Sequence, residues 1–281
     1  MKHVVVIAPA KVNLALDVTG KREDGYHLIE TVFQTISVYD KLTLDLTEEN
    51  GIKLSSDAHW LPCNEKNLAC KAAKAFTEKT GFGENIAIHI SKRIPSQAGM
   101  GGGSSDAAAV LSGMNALSGN MLSLPELVSI GAGLGADVPF FLYGEKLEVL
   151  PPLRGLCIVS AKGKGGISTP EAYRRIDALV NPVHPDTQSL RQAIKSGESP
   201  NSLWRYCGNI FEEVTELEDV TDIKKIMIKN GANFACMSGS GSSVFGIFRN
   251  YDMARKCRNV LSRKYPFAAL CTTTGKNRLY K

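Results

Sequence analysis

Residues 95–106, Pro95-Ser96-Gln97-Ala98-Gly99-Met100-Gly101-Gly102-Gly103-Ser104-Ser105-Asp106, run directly into Ala107-Ala108-Ala109-Val110-Leu111. A glycine-rich turn thus delivers its backbone to the first turn of a helix, which makes an anion site. Glycines remove the Cβ atoms that would hold a phosphate away, the first helical N–H groups lack intrahelical partners, and the helix dipole favours negative charge there. Ser104 and Ser105 can cap the helix or turn a hydroxyl toward a phosphate or its metal. Neither common nucleotide fingerprint fits. Gly103 is followed by Ser104 without the lysine of a Walker A loop. The dinucleotide pattern fails as well, because Ser104 stands where its third glycine is required. A flexible Gly/Ser linker is the plain alternative. Against it, Ile86-Ala87-Ile88-His89-Ile90 alternates like a strand before the loop, and Ala108, Val110, Leu111, Met114 and Leu117 repeat like a helix behind it.

The elements that must hold such a loop are α+β in pattern. Val4 to Ile7 and Val12 to Val18 read as two alternating segments, with a turn over 19–25 and more strand-like sequence from Leu28 to Val38 and from Leu42 to Leu46. Helices are expected over 67–80, ended by Gly81, and over 124–132, closed by Gly133. Pro151-Pro152 is the best boundary, dividing the chain into 1–150 and 151–281. Beyond it, strands are expected over 156–161, 234–237, 244–248 and 268–272. Helices are expected from Thr169 (as N-cap, with Pro170 first), through Phe211–Val214, and over 223–228 and 253–261. The 281 residues can bury a large core, and 33 Lys and Arg against 28 Asp and Glu suit small anionic ligands. No basic stripe interleaved with aromatics appears, so no nucleic-acid partner is expected. Seven scattered cysteines without C-x-x-C argue against a zinc ribbon and a secreted disulfide framework. They are expected reduced and mostly buried. No signal peptide or membrane span is visible, so a cytoplasmic protein with no membrane partner is expected.

Four segments stand in a telling order: Ala8-Pro9-Ala10-Lys11-Val12-Asn13-Leu14, the glycine loop, Gly135-Ala136-Asp137-Val138-Pro139, and Met237-Ser238-Gly239-Ser240-Gly241. With them the chain resembles the GHMP kinase superfamily, small-molecule kinases with a loop of the form Pro-x-x-x-Gly-x-Gly-Ser-Ser. The resemblance spans nearly the whole chain. Gly25-Tyr26-His27, with Lys11-x-Asn13, makes it similar to members whose acceptor carries a cytidine diphosphate. This implies a GHMP kinase fold, with an N-terminal domain like the second domain of ribosomal protein S5 and a ferredoxin-like C-terminal domain. ATP is the implied cofactor, with Mg²⁺ to offset its charge. The implied partner is a small-molecule cytidine diphosphate substrate, and the chain is expected to be a monomer or weak homodimer.

The resemblance also assigns roles. Lys11 and Asp137 become the catalytic pair, the carboxylate taking the acceptor proton and the ammonium keeping it ionised. Residue type alone leaves Asp137 equally suited to cap the short helix after it, and Lys11 to a solvated strand end. Pro95 through Ser105 hold the phosphates, and Asn67 and Lys92 flank adenine. Taken by themselves, Asn67 could simply cap a helix and Lys92 could be a surface charge. Tyr26 and Tyr173 sandwich the cytosine while His27 bonds its edge; packing against the protein is the alternative for each. Asn13, Thr169 and Gly239 complete the substrate set, and Ser238–Gly241 folds against the phosphate loop. The metal ligands stay open, with Ser105 one candidate. One departure from the family pattern stands out. The chain passes from Gly144 directly to Glu145-Lys146-Leu147, where the family usually has about ten further glycine-rich residues. Ala98, where glycine is frequent, is a milder change. Another GHMP kinase of homoserine or mevalonate type, or a catalytically silent nucleotide sensor on the same fold, are the rival readings.

Overall fold

Every second residue from Val4 to Val18 is apolar and buried, and this unbroken period of two makes one strand where the sequence reads as two. β1 spans His3–Lys21 and crosses Pro9 without ending. A register shift against the neighbouring strand falls between Pro9 and Ala10, the kind of irregularity at which a ladder tolerates proline. The partner is equally long. β2, His27–Leu46, pairs antiparallel with β1 from His3↔Asp45 to Lys21↔His27. The computed structural model describes residues 2–23, 25–143, 153, 155–200, 202–274 and the backbone of 279–280. The Pro151-Pro152 boundary and the Gly144–Glu145 junction lie outside the described residues.

β3 (Ile52–Ser56), β4 (Ile86–Ser91), β6 (Gly208–Asn209) and β10 (Leu279–Tyr280) complete a six-stranded sheet in the order β10-β1-β2-β4-β3, with β6 beside β1. One face is covered by α1 (Leu68–Thr80), α2 (Gly102–Leu117), α3 (Leu124–Leu134) and α4 (Val138–Tyr143). Val6, Leu44, Ile88, Phe76, Ala108 and Leu111 fill the layer between them. The second sheet, β7-β8-β5-β9, is antiparallel throughout and is built from β5 (Cys157–Lys162), β7 (Phe234–Met237), β8 (Val244–Phe248) and β9 (Phe267–Thr272). With α7 (Glu218–Lys229) and α8 (Tyr251–Ser262), its strand order is that of a ferredoxin-like plait. α5 (Thr169–Ile176) and α6 (Thr187–Lys195) lie between β5 and β6 in the chain.

The long hairpin ties the two layers together. Leu16 and Val18 at the far end of β1 join the core that contains Val159, Phe211 and Met227. Ala10, Val12 and Leu14 pack with Met100, Ile158 and Phe245 in a third cluster between the sheets. Several boundaries differ from the sequence expectation. Ser168 caps α5 by accepting from Glu171 N, so Thr169 is its first residue and not its cap. α3 continues through Gly133 and ends at Gly135. Ile210–Glu213 is a single 3₁₀ turn. Of the cysteines, Cys236, Cys257 and Cys271 are buried; Cys70, Cys157 and Cys207 are half-buried and Cys63 is exposed, fewer in the interior than expected. Among the described residues no helix is long and apolar enough to cross a membrane.

Candidate active site

The glycine loop is anchored by what it buries. Ala98 and Met100 sit in the inter-sheet core, while Ser96, Gln97 and Gly103 face outward. Gln97, Gly99 and Gly101 adopt positive φ of 47°, 68° and 70°. At Gly99 a Cβ would stand 1.9 Å from the Ser238 carbonyl oxygen, and at Gly239 a Cβ would stand 2.9 Å from Gly99 Cα. Two backbones therefore touch here, and only glycine admits that approach. Side chains of the same turn hold the loop carbonyls: Ser238 Oγ donates to Gly99 O at 2.9 Å and Ser243 Oγ to Ala98 O at 2.5 Å. The loop's acceptors are thus taken from behind. Ahead of it, the first turn-forming bond of α2 is Ser105 N to Gly101 O at 2.8 Å, so the N–H groups of Gly102, Gly103 and Ser104 precede the helical ladder. Gly101 occupies the N-cap position with no side-chain cap. Ser104 and Ser105, read as possible caps, lie inside the first turn.

Lys11 is bound to this loop through its own backbone, Lys11 N donating to Met100 O at 3.0 Å. Its ammonium, nearly fully buried, donates to Asn13 Oδ1 at 2.7 Å, lies 4.9 Å from the Phe33 ring centre and stands 3.7 Å from Asp137 Oδ2. Burial holds the Lys11 pKa below the ordinary lysine value, and the Asp137 charge opposes that fall. Asp137 is a third exposed and immediately precedes α4. The turn before it packs on the helix start, since a Cβ at Gly135 would lie 4.0 Å from Ser104 Oγ. The structure thus brings Lys11, Asp137 and the glycine loop together.

Asn13 has its polar atoms committed. Besides Lys11, its Oδ1 accepts from Gly239 N at 2.9 Å, and its Nδ2 donates to Thr31 Oγ1 at 2.8 Å. Asn13 therefore ties β1 to the Ser238–Gly239 turn, and the expected reach toward substrate hydroxyls competes with these contacts. Asn67 caps α1, accepting from Ala69 N at 2.9 Å and donating to Pro62 O at 2.8 Å. Lys92 departs furthest from expectation. Its side chain is 5% exposed and its ammonium donates to both Asp40 and Asp106, so it braces the loop from below and is no surface charge. Burial pushes the Asp106 carboxyl above the ordinary carboxylate range, while the Lys92 charge pulls it back.

In the region expected to face the acceptor, Tyr173 lies on α5 with its hydroxyl pKa raised to about 12, first by burial and then by the Asp137 charge. One face of its ring is covered by His27, with centroids 4.4 Å apart and planes 21° apart, and Phe211 meets it edge-on at 5.1 Å. His27 Nε2 is 2.6 Å from Asp177 Oδ1, and Lys21 Nζ donates to Asp177 Oδ2 at 2.8 Å. Tyr26 is 73% exposed, and the structure stacks His27, not Tyr26, near Tyr173. Thr169 Oγ1 lies 3.2 Å from Ser240 Oγ, joining α5 to the same turn that backs the glycine loop. Sequence reasoning missed Phe33, Asp40, Asp106, Asp177 and Ser243. Of these, Asp106 closes the quoted glycine segment and Ser243 lies two residues past Gly241, yet neither was given a role.

Among the described residues no group of three or more His, Cys, Asp or Glu side chains could hold a metal ion alone. A divalent cation held here would need further oxygens, such as those of a phosphate. Ser105 Oγ is buried without a hydrogen-bond partner, which fits it to complete such a shell.

The sequence pattern of the GHMP kinases N terminal domain matches residues 67–145, and that of the GHMP kinases C terminal matches residues 201–266. The chain is 42% identical over 272 residues to the 4-diphosphocytidyl-2-C-methyl-D-erythritol kinase of Clostridium tetani (strain Massachusetts / E88), covering 92% of this chain and 95% of that one. It is 39% identical over 279 residues to the enzyme of that name from Alkaliphilus metalliredigens (strain QYMF), covering 94% of each. A crystal structure of a 4-(cytidine 5'-diphospho)-2C-methyl-D-erythritol kinase superposes with a TM-score of 0.77 at 32% identity, covering 96% of this chain and 99% of that one. With the glycine loop, the Lys11–Asp137 pair and these likenesses together, the chain belongs to the 4-diphosphocytidyl-2-C-methyl-D-erythritol kinase family of GHMP kinases.

Proposed function

We propose that this protein transfers the γ-phosphoryl group of ATP to the 2-hydroxyl of 4-diphosphocytidyl-2-C-methyl-D-erythritol, a step of non-mevalonate isoprenoid precursor biosynthesis. The reading includes a cytoplasmic setting, a division into domains 1–150 and 151–281, and catalysis in the cleft between them. The observation that carries it is the buried Lys11 ammonium 3.7 Å from Asp137 and hydrogen-bonded through its backbone to the glycine loop. Phosphoryl transfer asks a protein chiefly for positioning and charge stabilisation, and this arrangement supplies both. The acceptor hydroxyl gives its proton to the Asp137 carboxylate as its oxygen bonds to the γ-phosphorus. The bond to the β–γ bridging oxygen breaks, and ADP leaves with that electron pair.

Lys11 has two parts in this. Its charge keeps Asp137 ionised as a base, and it lies where negative charge builds on the transferring group. Asn13 and Phe33 fix the ammonium, so little reorganisation is left for the reaction. The N–H groups of Gly102, Gly103 and Ser104 receive the phosphates. Mg²⁺ bound to them would neutralise phosphate charge, with Ser105 as its protein ligand. Tyr173, His27 and Tyr26 receive the cytosine, beside Thr169, Asn13 and Gly239. Asn67 and Lys92 border the nucleotide end through the elements they brace.

A coupled ADP-release assay tests the reading, with 4-diphosphocytidyl-2-C-methyl-D-erythritol set against mevalonate and homoserine. Turnover with the cytidine-bearing alcohol, at least 10²-fold more efficient than with the others, is the expected outcome, since a site built for the base leaves its polar groups unpaired with substrates lacking it. Preference for mevalonate or homoserine would move the chain to another branch of the superfamily.

A further inference from the structure

Both ends of the glycine loop meet at one buried group of charges. Lys92, just past the end of β4, donates to Asp106 Oδ2 at 2.7 Å and to Asp40 Oδ2, with Asp106 2% and Asp40 0% exposed. Asp106 is the fifth residue of α2, which leaves the loop; Asp40 belongs to β2. Asp40 Oδ1 also accepts from Arg93 N at 2.6 Å and Ile94 N at 2.9 Å, the corner that enters the loop before Pro95. The contact continues into the helix start. A Cβ at Gly102 would stand 2.9 Å from Ile94 Cγ2 and 3.5 Å from Lys92 Nζ.

A buried ion cluster is weak ground for stability, because apolar residues of similar shape often serve as well. What it supplies is direction: one ammonium with two acceptors on two elements permits a single arrangement of the corner at Arg93–Ile94 and the first turn of α2. We propose that Asp40, Lys92 and Asp106 are positioning residues that aim the phosphate loop, so that nucleotide affinity depends on them while affinity for the acceptor alcohol does not. The inference rests on reading residues 95–105 as the nucleotide-phosphate loop. Separation of the two effects follows from distance, since His27 and Asp40 lie roughly 40 Å apart along β2 at ordinary strand rise.

The test is calorimetric titration with ATP in the absence of acceptor, joined to steady-state constants for both substrates. Asp106→Ala should raise the ATP constant at least tenfold and leave the acceptor constant within twofold. Asp106→Asn, which keeps an oxygen toward Lys92, should recover most of that loss. Should Asp106→Ala fail to fold, Asp106→Leu replaces it. Leucine keeps the branched outline of aspartate without its oxygens and leaves Lys92 and Asp40 balanced in charge, so the expected result is a folded protein with the same tenfold loss for ATP. A folded variant with wild-type ATP affinity and only a lower melting temperature overturns the inference. So does an equal rise in both constants. The loop reading fails separately, if the wild-type protein itself binds no ATP.

Discussion

The two ends of the site are built by different rules. At the phosphate end most polar side chains are buried and paired, Ser105 Oγ and Asp106 Oδ1 being left without a partner: Ser238 and Ser243 hold the loop carbonyls, Asn13 joins Lys11 to Gly239, and Lys92 bridges two aspartates. At the acceptor end the groups are partly or largely exposed and lean on one another, with His27 stacked over Tyr173 and paired to Asp177. If residues 95–105 receive the phosphates as proposed, a loop held in this way asks for little rearrangement, which is what electrostatic preorganisation demands. The acceptor end cannot admit a planar base onto the covered face of Tyr173 until His27 moves. Donor and acceptor therefore differ in how much binding energy goes into ordering their sites.

The largest effect is expected where the two ends meet. Asp137→Asn keeps shape but cannot accept the proton, so turnover should fall by roughly 10²–10⁴-fold with ATP affinity retained. Single-turnover kinetics on a variant of wild-type melting temperature would check it, and near-wild-type turnover removes Asp137 from the mechanism. Next comes the preformed loop. Gly99→Ala places a methyl group 1.9 Å from the Ser238 carbonyl at a positive φ, so either the loop or the turn must move. Overpacking of this kind costs about 1–3 kcal/mol. The ATP constant should rise at least tenfold while binding of CDP stays within about twofold. Equal losses for both ligands would show that the turn serves the whole cleft, and the contrast between the two ends would dissolve.

What the sequence made legible follows the same division. The glycine loop stood out because close backbone approach forces a residue type, and Gly99 and Gly239 meet where no other residue fits. The same holds for the strands of the second sheet, where Phe234–Met237 and Val244–Phe248 coincide with their apolar runs. β1 and β2 were legible in composition but not in continuity, since Pro9 reads as an interruption and only pairing with β2 carries the strand across it. α6 went unread although Asp186 caps it and Leu190, Ala193 and Ile194 form its buried face; a short amphipathic helix after a proline-rich loop gives little periodicity to count. Asp40 and Asp177 were invisible for another reason. Their partners are 52 and 150 residues away, and no local pattern marks a carboxylate whose role is set by the fold.

On the acceptor side the expected effects are smaller and turn on the ring. Stacking of a base on an aromatic side chain is worth about 1–3 kcal/mol, so Tyr173→Ala should raise the acceptor constant about 5- to 150-fold and leave the ATP constant nearly alone. Tyr173→Phe should restore most of it, because the Tyr173 ring, and not its hydroxyl, does the stacking. The same pair of variants at Tyr26, which is largely exposed and precedes His27 in the chain, distinguishes a two-sided sandwich from a single stacking face. An unchanged acceptor constant in Tyr26→Ala would leave His27 as the ring that cooperates with Tyr173.

The smallest effect has the most to say about rearrangement. Asp177 holds His27 over Tyr173 from an exposed position, sharing its other oxygen with Lys21. Exposed ion pairs contribute about 0.2–1 kcal/mol. If His27 has to leave the Tyr173 face before a base can stack there, that contact opposes binding, and Asp177→Asn should lower the acceptor constant by about 1.4- to 5-fold. If His27 instead bonds the base from its present place, Asp177 orients it, and the same substitution should raise the constant by a similar factor. The covered ring face argues for the first outcome. Titrating CDP into wild-type protein and Asp177→Asn reads the sign directly, and an increase would mean that the acceptor end is as preformed as the phosphate end.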